Sequence, residues 1–258
     1  MTADPLQRWR LIGVAATAVI VLSVPAWLVQ NGRADAGETE IETAAFVGRG
    51  VCLPCHEQAS AAWLGSDHDL AMDVANDQTV LGDFDNATII SKGITTTFYR
   101  RDGKFFVNTQ GPNGELTDFE ITHVFGHDPL QQYLVPFPGG RLQCLSIAWD
   151  RDRNEWFDLY PNQEIPPDDW LHWTRAAQNW NGMCAECHST NLKKGFDPAT
   201  KSYTTTWSEI DVSCEACHGP GSDHVAWAEI QPMARPEIEA YGLVVDTGSM
   251  TSPELVEL

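Results

Sequence analysis

Residues 214–218 read Cys-Glu-Ala-Cys-His, and the same spacing appears as Cys52-Leu-Pro-Cys55-His56 and as Cys184-Ala-Glu-Cys187-His188. Two thiols three positions apart fall on one turn of chain, where they reach the two vinyl groups of a porphyrin and become thioethers. The histidine that follows then lies beneath the macrocycle and offers its imidazole to the iron. The spacing is a geometric requirement of haem c. It names Cys52, Cys55, Cys184, Cys187, Cys214 and Cys217 as attachment residues, with His56, His188 and His218 as proximal ligands. Zinc sites also use C-x-x-C pairs, but in even sets with four ligands per metal and no required His beside the second Cys. Disulfides within each pair would be tight rings that staple little chain. Histidine is 8 of 258 residues, so three independent placements directly after such a pair arise by chance at about 3 in 100,000. Three covalently bound haems is the reading these residues support.

The surrounding composition narrows the class. A chain of 258 residues has room for one large domain or two small ones, and 43% hydrophobic residues suffice for a core. Lys and Arg number 16 against 36 Asp and Glu, a net charge of −20. Phosphate backbones repel such a surface, so nucleic-acid binding is excluded, and a redox partner with a basic docking face is favoured. Arg8 and Arg10 precede an uncharged run of 19 residues, Leu11 to Val29, and Ala34-Asp35-Ala36 matches a small-residue cleavage pattern. Residues 1–36 are therefore expected to be a membrane anchor or a cleaved signal. Either way the remainder is placed in the periplasm or another extracytoplasmic space, with the acidic linker 37–45 on the far side.

Each haem iron has a second axial position, and the chain offers His68, His123, His127, His172 and His224 for it. Gly219, Pro220 and Gly221 break the chain between His218 and His224, so His224 is expected to reach a haem other than its own. Met72 follows His68 on the same helical face and competes with it, whereas Met183 abuts Cys184 and cannot easily turn back. Bis-histidine ligation, and hence low potential, is the favoured arrangement. Cys144, the unpaired cysteine, reads as a buried small hydrophobe in a strand-like run.

The expected fold class is α+β: short helices and loops around the haems with an inserted antiparallel β-meander. A helical pattern runs from Phe46 to about Ala75. A β-rich insertion covers about 88–160, with strands at 94–99 and 105–107 joined through Arg101-Asp-Gly-Lys104, and further runs at 116–124, 141–149 and 154–160. Helices and loops then resume. The second and third motifs are 30 residues apart, which favours them as the close pair of haems. The multihaem domain is bounded at 46–228, and 229–258 reads as a weakly ordered acidic tail.

The stretches CLPCHEQASAAWLGSDHDLAM, ITHVFGHDPLQQYLVPFPGGRLQ, IAWD, WLHWTRAAQNWNGMCAECHSTNLKKG and WSEIDVSCEACHGPGSDHVAWA carry a resemblance. Together they resemble the multihaem cytochromes of the cytochrome c-554 type, especially those in which the module precedes tetratricopeptide repeats. The resemblance implies His68, His123, His172 and His224 as distal ligands ahead of His127. Such proteins continue into a further C-x-x-C-H, so a shortened chain lacking a fourth haem, or other haem-bearing subunits, is implied as well. The expected function is periplasmic electron transfer between membrane-side donors and periplasmic acceptors. The alternative is an oxidoreductase acting on a small nitrogen or sulfur compound at a five-coordinate haem, with Arg141, Arg175 or His127 as proton donor. A third class is a structural subunit wiring other cytochromes together.

Overall fold

Two tight turns organise the first sheet. Lys92-Gly93 (φ 53° and 76°) and Asp102-Gly103 (φ 53° and 74°) both place two successive residues at positive φ, the geometry whose twist matches antiparallel strands. They join β2 (Asp85–Ser91), β3 (Ile94–Arg101) and β4 (Lys104–Gln110), and β5 (Leu116–Ile121) completes a four-stranded sheet in the order β2-β3-β4-β5. In the register of β3 with β4, Phe98 faces Val107 and Tyr99 faces Phe106. This is a computed structural model, and it describes residues 43–251 and 253. The chain divides into a unit over Met1–Thr43 and one over Ala44–Leu258, and the second is described here. The expected anchor or signal, Leu11 to Val29 included, lies outside the described residues.

A second sheet is built from β1 (Met72–Val74), β6 (His123–Phe125), β7 (Leu130–Phe137), β9 (Ile147–Asp150) and β10 (Glu155–Asp158), with β8 (Arg141–Cys144) paired to β7. Its pairings are all antiparallel. The expected meander is therefore two sheets, and strands begin well before residue 88. The helical pattern expected up to Ala75 stops at Trp63, where Leu64 turns extended and Gly65 takes φ 78°. Met72 consequently sits in a strand rather than on a helical face with His68.

Aromatic side chains join the sheets. Phe98 stacks on Trp156 with ring centroids 3.5 Å apart, and Phe84 meets both edge-on at 5.5 Å. Trp149 and Trp173 also belong to this core, so they pack the β-scaffold. A second cluster, Met72, Phe125, Leu134, Cys144, Trp180 and Ala185, lies under the second motif, with Cys184 and Trp207 against it. Gly140 (φ 70°) lets β8 turn beneath Tyr203, whose carbonyl a Cβ would overlap.

The helices are short: α1 (Arg49–Cys52), α2 (Glu57–Trp63), α3 (Trp180–Met183), α4 (Ala185–His188), α5 (Cys214–His218) and α6 (Ser222–Glu229). The stretch read as a weakly ordered tail carries 3-10 turns at Pro232–Ala234, Glu239–Gly242 and Thr247–Ser249. It returns to α6: Tyr241 meets Trp227 at 5.3 Å, and Val245 N–H donates to the His218 carbonyl at 3.3 Å. Apolar contact and backbone pairing outweigh its polar composition. Among the described residues no helix is long and apolar enough to cross a membrane.

Asp158 joins the first turn to the end of the second sheet. It accepts from Ser91 Oγ, from Lys92 Nζ at 2.9 Å and from Tyr160 N–H at 2.8 Å. Burial by itself would raise this carboxyl, but the hydrogen bonds outweigh it and hold the group below its ordinary value of 3.8. A depressed carboxylate stabilises the fold above its unfolded-state value, and that stability is lost as pH falls. Asp158→Asn is expected to cost about 1–3 kcal/mol at pH 7. It should also flatten the acid limb of melting temperature against pH below about pH 4, as read by circular dichroism.

Candidate functional site

Each motif is a single tight turn. His56 N–H donates to the Cys52 carbonyl at 3.1 Å, Cys187 N–H to the Cys184 carbonyl at 3.1 Å, and α5 carries the whole third motif. The same asymmetry recurs: Cys52, Cys184 and Cys214 are half-buried while Cys55, Cys187 and Cys217 are exposed, and all seven thiols are free. Among the described residues no three His, Cys, Asp or Glu side chains converge as ligands of one metal ion. Each pair stands by itself beside its histidine, a donor set that fits a haem held by two thioethers and one imidazole.

The three sites are tied together by polar contacts. The helix α1 lies against α5, and the Cys52 thiol is pushed up to about 11 by burial first, then by Cys214 and Glu215. The first motif thus adjoins the third, although 132 residues separate the first from the second and more lie beyond. Arg49 on α1 donates to Asp211 at 2.6 Å, and its N–H donates to Glu209 Oε1 at 3.2 Å. Burial raises the Asp211 carboxyl despite Arg49. The second motif joins the third through Thr190, whose hydroxyl donates to the Asp211 carbonyl and accepts from Ser213 N–H, both at 2.8 Å. Asn181, within α3, accepts from Leu142 N–H at 2.7 Å and donates to Thr205 Oγ1 at 2.8 Å, which seats the second motif on β8. Sequence reasoning missed these anchors, because nothing local marks a Thr or Asn that bonds across the fold.

Five of the eight histidine rings have a polar partner at Nδ1. His188 Nδ1 lies 2.9 Å from the Ala71 carbonyl and His224 Nδ1 lies 2.9 Å from the Tyr241 carbonyl. A carbonyl only accepts, so Nδ1 carries the proton in both rings and Nε2 presents a lone pair, the tautomer a metal needs. His123 Nδ1 pairs with Thr122 Oγ1 and His172 Nδ1 with Thr174 Oγ1, each at 2.9 Å, while His218 Nδ1 lies 3.4 Å from Thr247 Oγ1.

The expected distal histidines are placed differently from one another. His224 stands opposite His56, with ring centroids 6.1 Å apart and planes inclined at 33°. Two imidazoles at this separation could hold one iron between them. His123 is on β6, edge-on to Trp207 at 6.4 Å, and Phe125 on the same strand meets His188 edge-on at 5.2 Å. Burial lowers His123 despite Asp73. His68 is exposed, and its carbonyl accepts from Val212 N–H at 3.2 Å, two residues before Cys214. His172 is 5% exposed and lines a cleft with Ser91, Thr96, Thr109 and Asp158, where no motif residue takes part. Burial and then Arg175 lower its basicity.

The candidate proton donors are largely engaged. Arg175 donates to the carbonyls of Pro167 at 2.7 Å and Pro112 at 3.1 Å, and Arg141 to that of Pro138 at 3.0 Å. His127 is lowered by burial and then by Arg151.

Residues 169–219, which hold the second and third motifs, match the family of cytochrome c554 and c-prime. Over that segment the chain is similar to the c-type cytochromes of this family. The chain is also similar, over 71% of its length, to the undecahaem cytochrome from the S-layer of Carboxydothermus ferrireducens, at 18% identity and a TM-score of 0.42. It spans 22% of that chain. A search of curated proteins gave no match.

Cys144 is 2% exposed, against Cys184, and accepts from Gln132 Nε2 at 3.0 Å. Burial first, and then Cys184, push its thiol well above the ordinary value. Alkylation of the purified protein is expected to modify no cysteine in the native state and Cys144 alone after denaturation, as read by mass spectrometry. Modification of more than one cysteine would show motif thiols without haem.

Proposed function

We propose that the chain is an extracytoplasmic electron carrier with three haems c, held at Cys52/Cys55, Cys184/Cys187 and Cys214/Cys217. The observation that carries this reading is His56 facing His224 at 6.1 Å beside a C-x-x-C pair. Bound at such sites, haem c supplies a one-electron ferric/ferrous couple. The chain's part is to attach, orient and shield. His56, His188 and His218 serve as proximal ligands. His224 serves the first site across from His56. His123 serves the second, on the strand that also presents Phe125 to His188, and His68 serves the third, beside Val212. His172 is left over, in a cleft away from the three motifs. The packing of α1 against α5, and the Thr190 bridge from the second motif to the third, support a continuous row of sites.

The charge of −20 favours docking of a basic partner by long-range steering, strongest at low salt. Arg141 and Arg175 each commit part of the guanidinium to backbone carbonyls, and the facing pair His56 and His224 favours the carrier over the oxidoreductase.

Intact mass of the purified protein is expected to exceed the chain by three haems. Electron paramagnetic resonance of the oxidised protein should show low-spin haem, and His224→Ala should move about one third of that signal to high spin. A mass with a different haem count, or a His224→Ala protein that stays wholly low-spin, defeats the assignment.

A further inference from the structure

Glu215 occupies the first variable position of the third motif, yet it is 3% exposed. Its carboxylate accepts only from backbone. Oε1 takes the N–H of Val47 at 2.9 Å and of Gly221 at 2.8 Å; Oε2 takes that of Gly48 at 2.7 Å and of Val47 at 3.1 Å. These amides come from two distant places in the chain. Gly48 is the residue before α1, which leads into Cys52 and His56, and Gly221 is the residue before α6, whose third residue is His224. One buried carboxylate thus grips both segments that carry the facing imidazoles. Ser222 adds a lighter tie, accepting from Ala45 N–H at 2.9 Å and donating its own N–H to the Ala45 carbonyl at 3.1 Å.

We infer that Glu215 is a positioning residue for the first haem: by clamping residues 47–48 and Gly221 on one carboxylate, it sets His224 opposite His56. The inference rests on reading those two histidines as an axial pair. The chemistry calls for a carboxylate. An ionised carboxylate is acceptor-only, with about four lone-pair sites for the four contacts, and bonds to an ionised acceptor are roughly twice as strong as neutral ones. Glutamine has the same shape but replaces one oxygen with an NH2 group, so a donor would confront an N–H donor. Arg49, the nearby cation, is paired to Asp211 and Glu209, so the Glu215 charge is met by backbone amides.

The test is the spin state of the oxidised full-length holoprotein. Glu215→Gln is expected to keep three haems by intact mass and to move about one third of the low-spin signal to high spin, with added imidazole restoring it. Asp158→Asn, which weakens the fold elsewhere, should leave the spin state unchanged. A His224→Ala protein that remains wholly low-spin would overturn the axial pairing itself. A shift in His224→Ala without one in three-haem Glu215→Gln would overturn the role of Glu215 alone. Should Glu215→Gln not accumulate with three haems, Glu215→Asp takes its place. Shorter by one methylene, it cannot reach residues 47–48 and Gly221 together, and a wholly low-spin three-haem Glu215→Asp protein equally overturns the proposal.

Discussion

Every motif rests on a helix too short to hold itself. Helices of four to eight residues lie far below the length at which an isolated helix persists in water, about 12–15 residues. Their positions are therefore set from outside, by hydrogen bonds between residues remote in sequence. Asn181 fixes the second motif to β8, Thr190 fixes it to the third, and Trp63 Nε1 donates to the Val212 carbonyl at 2.9 Å beside the third. Removing such a partner leaves a buried polar group unmet, which costs about 1–3 kcal/mol.

The β-scaffold provides the rigid side of this arrangement. Its aromatic core fixes β6 and β7, and β6 carries His123 together with Phe125, the ring that buttresses His188. The scaffold also sequesters Cys144. In an oxidising compartment a free thiol near Cys184 invites mispairing, and burial keeps it protonated and out of reach.

Much of this was legible along the chain. The three motifs announce their cofactor through spacing, and Asp102-Gly103 announces a hairpin because few residue pairs tolerate two positive φ values. β7 was less legible: Pro136 interrupts its apolar run, and a proline argues against a strand unless it lies toward one end. The neighbourhood of sites was legible only in part. Short sequence separation makes the second and third motifs neighbours, and Thr190 bridges them, but nothing local shows that the first motif also adjoins the third. Glu186 and Glu215 show the limit most plainly. Both are acids inside a C-x-x-C pair, but Glu186 is exposed and meets Lys194 at 3.3 Å, while Glu215 is buried against amides. Which of the two is structural depends on what packs over it, and local sequence does not encode that.

The hydrogen bond from His224 to the Tyr241 carbonyl sets an order of events. Synthesis delivers the chain progressively, so Cys52, Cys55 and His56 emerge before the other two motifs. Their facing imidazole arrives only with His224, and the carbonyl that orients that ring later still. The site that appears first is completed last. Until then His56 has no facing ring, and the surroundings of the first motif are complete only once Tyr241 has joined the fold.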